Sequence, residues 1–581
     1  MSFALRFLVP GLLITVLCRP AQAQQPPDTI YFNGKIITMW AAKPTAQAIS
    51  IAGDRFQAVG TNAEVLKSAG LRTKKVDLAG RSVVPGLIDS HVHPITSALS
   101  EIDGPEPLFH SIPEIQDYIA TQTKKAPASK LILVPKVYST RLKERRYPTR
   151  QELDQAAPSR EVIVDNGYSS VLNSVLLKRM GITRDSPQPK NGRFVKDEKG
   201  ELTGLVLGAP QLLATLRGSR KTTAAERLWA LEQMQAQYNR VGITSITDRS
   251  EGPDGFRAYQ TLHEAGKLTV RANVTYLIQA GATPADVRRE IEGIPFVTGA
   301  GDKWFRVGPI KTVVDGGILT GTAYLREPYG DHTQIYGYAD PTSRGILSVP
   351  RENLFEMAKV ADELGWQMTA HTTGGGATDL LLDAYEAADA IKSIRGRRFT
   401  VTHGNFPDPR TIERARKLGV NFDVQPAWLH LDGAAIQDVF GPERMKNFQP
   451  LRSIIDAGVV VAGGSDHMIR FDSRLATNPY HPFLGMWIAI TRKMTDGKSL
   501  HPEQRINRME ALRMWTWNGA YMSFAEMEKG SIEPGKLADM VVINKDYSAC
   551  PEDEIQSIEP LQTIVGGRVV YDSATARPVA R

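Results

Sequence analysis

Two histidines, His91 and His93, stand one residue apart in the run "VVPGLIDSHVHP", directly after an apolar stretch. In a β-strand, residues i and i+2 face the same side, so the two imidazoles are predicted to point together. Neutral imidazole is a good zinc ligand, although a single His-x-His pair is also compatible with ordinary polar surface. The pair therefore indicates a candidate metal site that needs support from other parts of the chain.

Three further polar residues end apolar or β-branched stretches. His371 closes "WQMTAH", His403 closes "RRFTVTH" and Asp466 closes "VVVAGGSD". Each of them alone is compatible with a buried structural role or a loop role. Ligand-type groups at four such ends together favour one shared site, because four imidazoles and a carboxylate can hold one or two divalent ions. We expect zinc at one or two positions.

Lys311 lies inside the apolar stretch "GPIKTVVDGG", where a bare ammonium is costly unless it is paired or modified. In one interpretation Lys311 forms an ion pair, with Asp315 as the candidate partner. In the other, its neutral amine has captured carbon dioxide as a carbamate, an anionic ligand that can bridge two metal ions. The stretch alone favours the ion pair, and the neighbouring candidate ligands favour the carbamate.

The elements that must position these residues alternate between strands and helices, as in 224–241, 351–364 and 377–390. The eight strand candidates are 82–88, 243–247, 270–277, 305–314, 367–370, 398–402, 420–424 and 459–462. This alternation predicts an α/β protein with a (β/α)8 TIM barrel. The active sites of such barrels lie at the carboxyl ends of the strands, where the candidate ligands fall.

The first gap and the two chain ends depart from a plain barrel. About 150 residues separate the first two strand candidates, which predicts an inserted subdomain with turn-rich segments. At one end, 29–40 reads as a hairpin around Asn33-Gly34, and 48–51 with 56–59 reads as a second one. At the other end, 540–543 and 563–570 are strand-like, the latter with a turn at Gly566-Gly567. The simplest arrangement pairs both ends in one small β-sandwich, since separate flaps would leave sheet edges open.

These observations divide the chain into six segments. They are a signal peptide (1–23), the N-terminal part of the β-sandwich (24–83), barrel strand 1 with the metal motif (84–100), the inserted subdomain (101–222), the remainder of the TIM barrel (223–525) and the C-terminal part of the β-sandwich (526–581).

The first 23 residues are typical of a secretory signal peptide. Arg6 precedes the apolar stretch 7–17, and small residues at 21 and 23 mark a cleavage site. An uncleaved membrane anchor is the alternative, but eleven apolar residues are too few to span a bilayer. We expect an exported protein, periplasmic or secreted, without stable membrane insertion after cleavage. Cleavage would remove Cys18 and leave Cys550 alone, so no intramolecular disulfide is expected.

Composition excludes several classes of protein. The 581 residues are 42% hydrophobic and 23% charged, which rules out a disordered or disulfide-stapled chain. The net charge of +7 would fall to +5 on cleavage, because the signal segment holds two arginines and no acidic residue. Its basic residues form no stripe, so we expect no nucleic-acid partner. The expected partner is a small-molecule substrate. The oligomeric state that we consider is a homodimer.

The motifs resemble those of the amidohydrolase superfamily, and most of all its family 3 branch of N-substituted formamide deformylase-like enzymes. The runs that carry the resemblance are "VVPGLIDSHVHP", "IKTVVDGG", "TAH", "THGN", "GGSD" and "EKGSIEPGKLADMVVI". The resemblance implies a barrel, a two-part β-sandwich and metal-dependent hydrolysis. By motif position it implies one metal on His91, His93 and Asp466. It also implies a second metal on His371 and His403, with Lys311 as a carboxylated bridge.

The chain departs from the branch in three places. An HAIGDRA-like motif reads "HTTGGGATD" here, so that Gly375 and Gly376 replace an acidic residue and an arginine. Tyr168 stands where the insertion often has a histidine, and the EHA-like motif reads Thr402-His403-Gly404. The expected ligands are kept while their neighbours differ, which puts the substrates of named relatives in doubt.

The expected ligands define a mechanism. A divalent ion lowers the pKa of bound water from about 16 towards about 7 and polarises the scissile carbonyl. Asp466 is then the natural general base, and His403 or Tyr168 would steady the oxyanion. Gln425, Trp428 and His430 in "VQPAWLH" are expected to line the substrate pocket.

The leading interpretation is a metal-dependent hydrolase of a C–N bond in an amide, a cyclic amide or an N-formyl compound. One alternative is hydrolysis of an ester or a carbamate at the same site. The other is a non-catalytic binding or regulatory relative, which the glycine replacements suggest and the retained ligand set opposes.

Overall fold

The computed structural model describes residues 25–125, 127, 130–217, 221–279 and 281–576. The predicted signal peptide, 1–23, lies outside these residues.

Seven short strands and one helix precede the barrel. They are β1 (Thr29–Phe32), β2 (Lys35–Ile37), β3 (Thr45–Ala46), β4 (Ala48–Ala52), β5 (Arg55–Gly60), α1 (Asn62–Leu66), β6 (Lys74–Asp77) and β7 (Ser82–Pro85). The pair β4 and β5 is antiparallel, which confirms the hairpin expected there. The hairpin expected around Asn33-Gly34 is wrong, because β1 pairs with β4 and β6 while β2 pairs with β3 and β7. Both strands alternate in the same way, so the pattern did not show that the chain changes sheet between them.

The first barrel strand, β8 (Leu87–Val92), follows β7 after a single residue, and the helix α2 (Pro94–Leu99) comes next. The strand expected at 82–88 is therefore two strands in two different sheets, and the first barrel strand reaches further than expected. The chain changes sheet at Gly86, where a Cβ atom would lie 2.3 Å from Oγ1 of Thr244. Only glycine allows the backbone to pass this close to the neighbouring strand.

The long gap after β8 holds a five-stranded sheet with helices. Its strands are β9 (Ile132–Val134), β10 (Val162–Asp165), β11 (Ser169–Leu172), β12 (Gly192–Lys196) and β13 (Leu202–Gly208). Its helices are α3 (Ile112–Lys125), α4 (Arg150–Ala156), α5 (Ser174–Arg179) and α6 (Pro210–Arg217). The strand order is β12-β13-β11-β10-β9, so this part of the chain has a sheet of its own.

The remaining barrel strands follow along the chain. They are β14 (Ile243–Glu251), β15 (Arg271–Leu277), β16 (Phe305–Val313), β17 (Met368–Thr372), β18 (Thr400–His403), β19 (Asn421–Val424) and β20 (Val461–Gly463). With β8 they form one eight-stranded parallel sheet in sequence order, from β8 through β14 to β20. The last strand returns to the first, because the Asp466 backbone N–H donates to the His91 carbonyl at 2.8 Å. The predicted TIM barrel is confirmed.

Helices separate the barrel strands. They are α7 (Ala224–Arg240), α8 (Pro253–Glu264), α9 (Pro284–Glu292), α10 (Arg351–Leu364), α11 (Gly375–Ile391), α12 (Pro409–Leu418), α13 (Pro426–Met445), α14 (Leu451–Asp456), α15 (Pro482–Thr491), α16 (Arg508–Met514) and α17 (Trp517–Met522). Several of them begin with reciprocal caps. At α7 the Thr223 hydroxyl accepts from the Glu226 N–H, and the Glu226 carboxylate accepts from the Thr223 N–H.

The chain ends in three strands, β21 (Met540–Ile543), β22 (Pro560–Val565) and β23 (Arg568–Asp572), and the last two form the expected hairpin. They join the N-terminal strands in a six-stranded sheet of order β23-β22-β21-β7-β2-β3. A four-stranded sheet, β5-β4-β1-β6, packs against it through apolar residues that include Ile49, Phe56, Val83 and Met540. Both ends of the chain thus build one β-sandwich. Among the described residues, no helix is long and apolar enough to cross a membrane.

Candidate metal centre

Three of the predicted ligands meet where β8 and β20 end. The Nε2 atom of His91 lies 3.3 Å from Nε2 of His93 and 3.2 Å from Oδ1 of Asp466. The Nε2 atom of His93 lies 3.1 Å from the same Oδ1 atom. A strand places His91 and His93 on one side of the backbone, as the His-x-His spacing predicted, and the return of β20 to β8 brings the carboxylate to them.

The other two predicted imidazoles lie beside this group. The ring of His403, at the end of β18, is 4.9 Å from the ring of His91 and 4.5 Å from the ring of His371 on β17. The distances are between ring centroids. All four imidazoles and the Asp466 carboxylate therefore form one cluster at the carboxyl ends of four barrel strands.

Protein acceptors fix the proton on one nitrogen of three of these rings. His91 Nδ1 faces Oδ1 of Asp423 at 3.1 Å, His403 Nδ1 faces Oε1 of Gln425 at 2.6 Å, and His371 Nε2 faces the Gly316 carbonyl at 3.1 Å. A neutral imidazole that donates from one nitrogen keeps a lone pair on the other. These contacts leave His91 Nε2, His403 Nε2 and His371 Nδ1 as candidate ligand atoms, and metal-binding histidines commonly donate from their other ring nitrogen to a protein acceptor in this way.

The protonation states of these side chains suit the binding of a cation. Burial lowers the pKa of His93 to about 4 and that of His371 to about 3, and it holds the pKa of His403 well below its usual value. Burial alone would raise the pKa of Asp466, but its contacts with His91 and His93 hold it well below the ordinary carboxyl range. The cluster therefore offers neutral imidazoles and an ionised carboxylate, the forms that bind a divalent metal.

The backbone is strained at two of the ligands. His403 has φ of 71° and Asp466 has φ of 55°, in the left-handed region that side chains other than glycine rarely adopt. Such a conformation costs about 1–3 kcal/mol and persists where the surroundings hold it. His403 is the last residue of β18 and Asp466 lies three residues after β20, so this conformation occurs where the chain leaves the strands beside the cluster.

Lys311 lies on β16 next to the cluster and is 3% exposed. Burial lowers its pKa to about 8, against the opposing attraction of the Asp466 carboxylate. The alternative ion pair with Asp315 is not formed, because Asp315 accepts instead from the backbone N–H groups of Tyr324, Thr373 and Gly374 at 2.8–3.0 Å. No other carboxylate in the described part of the chain lies within ion-pair distance of the Lys311 amine.

The side chains of the cluster are of the types that bind a divalent metal ion. It combines four imidazoles, a carboxylate and a buried amine of lowered pKa, all directed at one space. This set suits one or two borderline divalent ions such as zinc, with His91, His93 and Asp466 offering atoms within 4.8 Å of one another.

A cavity of about 260 Å³ opens onto the cluster. The barrel contributes His93, Lys311, His371, His403 and Asp466 to its lining. The inserted sheet contributes the opposite side, with Lys136, Tyr138, Asp165, Gly167 and Tyr168. The insertion therefore covers the site, and its lining residues are called the roof of the cavity. A small molecule in the cavity would lie between the roof and the barrel.

Two of the residues expected to bind substrate line this cavity. The Tyr168 hydroxyl lies 3.2 Å from His371 Nδ1, so it can donate a hydrogen bond beside the reacting centre. The ring of Trp428 lies 5.0 Å from the ring of His403, and its indole N–H donates to Oδ1 of Asn478 at 3.3 Å.

The other two expected substrate contacts do not line the cavity. Gln425 is fully buried, and it hydrogen-bonds to His403 and to Asp423, which makes it a positioning residue. His430 is held by the Lys493 carbonyl at 2.8 Å, with its ring 5.3 Å from that of Trp487. The reason is local, since α13 begins directly after Gln425 and its first turns carry His430 away from the centre.

Sequence reasoning missed Asp423 and Arg249. Asp423 is buried on β19, and its Oδ2 atom accepts from Arg249 at 2.7 Å and from Thr402 Oγ1 at 2.9 Å. Burial would raise the pKa of Asp423, but Arg249 and His91 keep it far below the ordinary range. Its Oδ1 atom orients His91 while Arg249 and Thr402 hold Oδ2, which makes Asp423 a positioning residue. The signal was the one seen at Lys311, a charged residue inside an apolar strand.

The glycine run after His371 has a packing reason. A Cβ atom on Gly374 would lie 2.0 Å from the Tyr324 carbonyl oxygen, and one on Gly375 would lie 2.5 Å from Nη1 of Arg326. Arg326 is held there by a two-pronged ion pair with Asp379, at 2.6 and 2.9 Å. An arginine from another part of the chain thus fills the space next to the glycines.

Comparisons with known proteins find similar chains over nearly the whole length of this one. The sequence model of a family described as "Amidohydrolase family" matches residues 74–571. N-substituted formamide deformylase of Arthrobacter pascens is 28% identical over 556 residues, with 94% of this chain and 98% of the relative covered. The putative amidohydrolase YtcJ of Bacillus subtilis (strain 168) is 25% identical over 559 residues, with 94% and 99% covered. An uncharacterized metal-dependent hydrolase from Pyrococcus horikoshii OT3 shares the fold, with a TM-score of 0.66 at 22% identity over 90% of this chain and 99% of that chain.

Proposed function

The chain belongs to the amidohydrolase family, in the branch that its motifs resemble, and is a metal-dependent hydrolase of C–N bonds; we propose that its substrates are N-substituted formamides. The observation that carries the chemistry is the buried set of neutral imidazoles beside an ionised Asp466 at the mouth of the barrel. The substrate class is supported by the relative from Arthrobacter pascens, which aligns over 94% of this chain and is named for such compounds.

The proposed metal is zinc, at two positions. His91, His93 and Asp466 would hold one ion, and His371 with His403 would hold the other. The tautomers support this division, because His91 Nε2 and His371 Nδ1 are both left with a lone pair by their protein acceptors. A bound ion would acidify a water molecule and polarise the formyl oxygen.

The protein groups then have definite tasks. Asp466 takes a proton from the attacking water and returns it to the leaving nitrogen, so the products are formate and an amine. Its Oδ2 atom is held at 3.2 Å by the Asn478 amide, which keeps the carboxylate in place through both transfers. Tyr168 donates its O–H to the oxygen of the former carbonyl, where negative charge develops. Trp428 and the roof of the cavity limit access of bulk water.

We propose that Lys311 carries a carbamate between the two metal positions. The ammonium form would first lose one proton; the neutral Nζ atom would then bond to the carbon of carbon dioxide and release a second proton, which leaves an anionic carbamate in place of a cationic side chain. The lowered pKa of Lys311, about 8, supports this reaction because it increases the neutral fraction of the amine near neutral pH. Its lack of a carboxylate partner among the described residues supports it as well.

We also propose that the protein is exported, to the periplasm or outside the cell. The support is the signal-like sequence of the first 23 residues, with its apolar stretch and its small residues at 21 and 23. Edman sequencing of the protein from the exported fraction should begin at Gln24. A cytosolic protein that retains Met1 would refute the proposal.

The substrate class is tested with a panel of compounds and metal-loaded protein. The panel holds N-alkylformamides, longer-chain amides, lactams, carbamates and esters, each assayed for its acid product. We expect formate from the formamides, and at least a hundredfold loss of rate in the Asp466→Asn variant. The surface variant Asp553→Asn is the matched control and should keep full activity. Cleavage of esters alone would overturn the substrate class, and a purified protein that binds no metal would favour the non-catalytic alternative.

A further inference from the structure

A second cavity of about 260 Å³ adjoins the one above the metal centre. Gly167, Tyr168 and Val313 line both cavities and form the boundary between them. The second cavity lies where the inserted sheet meets the ends of β15 and β16. None of the candidate metal ligands lines this cavity, so the metal centre itself gives it no role.

The two cavities differ in chemistry. The cavity at the metal centre combines imidazoles, lysines and carboxylates with apolar side chains such as Leu319 and Met468, and its polar groups suit the formyl group and the water molecule. The second cavity is mostly apolar. It is lined by Leu277, Ile278, Val313, Ile346 and Pro210, with polar side chains such as Gln211, Gln279 and Thr312 among them. Leu277, Val313 and Ile346 are only partly buried, so apolar surface there faces the cavity. Such surface gains free energy when an apolar group covers it.

Size supports a joint role for the two cavities. Sites for small molecules typically measure roughly 300–1,000 Å³, so each cavity alone falls short and the two together fall within that range. A dry cavity of about 150 Å³ is enough for a benzene ring. The second cavity can therefore hold a phenyl group or an alkyl chain of about six carbons.

Tyr168 is positioned to connect the two. A Cβ atom on Gly317 would lie 3.0 Å from Cδ2 of Tyr168, so glycine lets the ring pack closely against this loop. The ring borders the second cavity, while its hydroxyl reaches His371 Nδ1 at 3.2 Å. A substrate whose formyl oxygen meets this hydroxyl has its nitrogen substituent next to the shared boundary.

We propose that the second cavity is the binding subsite for the apolar nitrogen substituent of the substrate. This inference rests on the proposed function, because the formyl group must occupy the cavity at the metal centre. It assigns the selection of substrates to residues that lie away from the ligands, at the contact between the insertion and the barrel.

The test is a series of N-alkylformamides from methyl to hexyl, assayed as formate release by metal-loaded protein. In the wild type, kcat/KM should rise about fourfold for each methylene group that enters the subsite. Ile346→Trp fills the subsite and should flatten the series beyond the short members, with N-methylformamide unchanged within about twofold. Gln279→Trp, at an exposed position of the same cavity, serves if the first variant fails to fold. Ile391→Trp, which places the same ring at a 67% exposed position on α11, should behave as the wild type.

The possible outcomes distinguish a failure of the proposed subsite from a failure of the proposed reaction. A wild-type series that does not depend on chain length, or filled variants that lower every member equally, would overturn the subsite while the hydrolysis stands. If no formamide is cleaved, the proposed substrate class fails, and calorimetry with N-hexylformamide then tests the cavity alone. Binding that is lost in Ile346→Trp and kept in Ile391→Trp supports the subsite, and binding that Ile346→Trp leaves unchanged overturns it.

Discussion

Replacement of Asp423 by asparagine separates the positioning of a metal ligand from the stability of the barrel. The Asp423 carboxylate accepts from His91 Nδ1 at 3.1 Å and from Arg249 at 2.7 Å, and all three residues are buried. In Asp423→Asn the buried guanidinium loses its counter-charge, which should lower the free energy of unfolding by about 3–5 kcal/mol. His91 loses the carboxylate that fixes its tautomer, so metal affinity should fall about 10–100-fold.

A double variant distinguishes these two effects. In Arg249→Met/Asp423→Asn no buried charge is left unpaired, so most of the lost stability should return. Metal affinity should stay low, since His91 still lacks its carboxylate. The assays are urea unfolding and competition for zinc with a chromophoric chelator, and Asp553→Asn serves as the surface control. If Asp423→Asn binds zinc as tightly as the wild type, or if the double variant regains metal affinity along with stability, the positioning role is refuted.

Four further predictions concern single sites. Replacement of both His91 and His93 by alanine should remove one equivalent of zinc in elemental analysis, and retention of full metal and activity would show the ligand assignment to be wrong. Lys311→Ala should lose the second equivalent and most activity, with partial rescue by a short-chain carboxylic acid; near-normal metal content would contradict the carbamate. Tyr168→Phe should lower kcat about 10²–10³-fold with little change in KM, and an unchanged kcat would exclude the hydroxyl as the donor to the oxyanion. Burial lowers the pKa of Lys529 to about 7, below its value near 10.4 in the unfolded chain, so stability should rise from about pH 7 to pH 10 as the unfolded state binds more protons. Urea unfolding of Lys529→Met should show a smaller rise over this window, whereas equal slopes would contradict a depressed pKa.

The barrel and its ligands were predictable because two signals coincide. Each of the strands that carry His91, His371 and His403 contains apolar or β-branched residues and has a group able to bind a metal at or next to its end, and β20 leads to Asp466 in a similar way. A parallel barrel brings these ends together whatever the loops do. The sequence therefore indicates the positions of the candidate ligands without knowledge of packing.

The rest depended on packing that a linear pattern does not contain. Gln425 and His430 both follow β19, but the immediate start of α13 buries the first and turns the second away. Asp423 has the same signal as Lys311, a charge inside a strand, but its contact with His91 is visible only once the strands are assembled. The residues of the roof, such as Lys136, come from an insertion whose docking onto the barrel is set by tertiary contacts alone.

The strand β7 pairs with β21, which is synthesised much later. Val84 lies opposite Val541, so the edge of β7 stays unpaired until the ribosome has added roughly 450 more residues. At about 5–20 residues per second, this takes roughly 20–90 seconds. During that interval the nascent chain exposes one edge of a short strand with two valines, which is the kind of segment that other chains can pair with. Any truncation before β21 makes this exposure permanent, so chaperone demand and aggregation should depend steeply on the integrity of the last 40 residues or so.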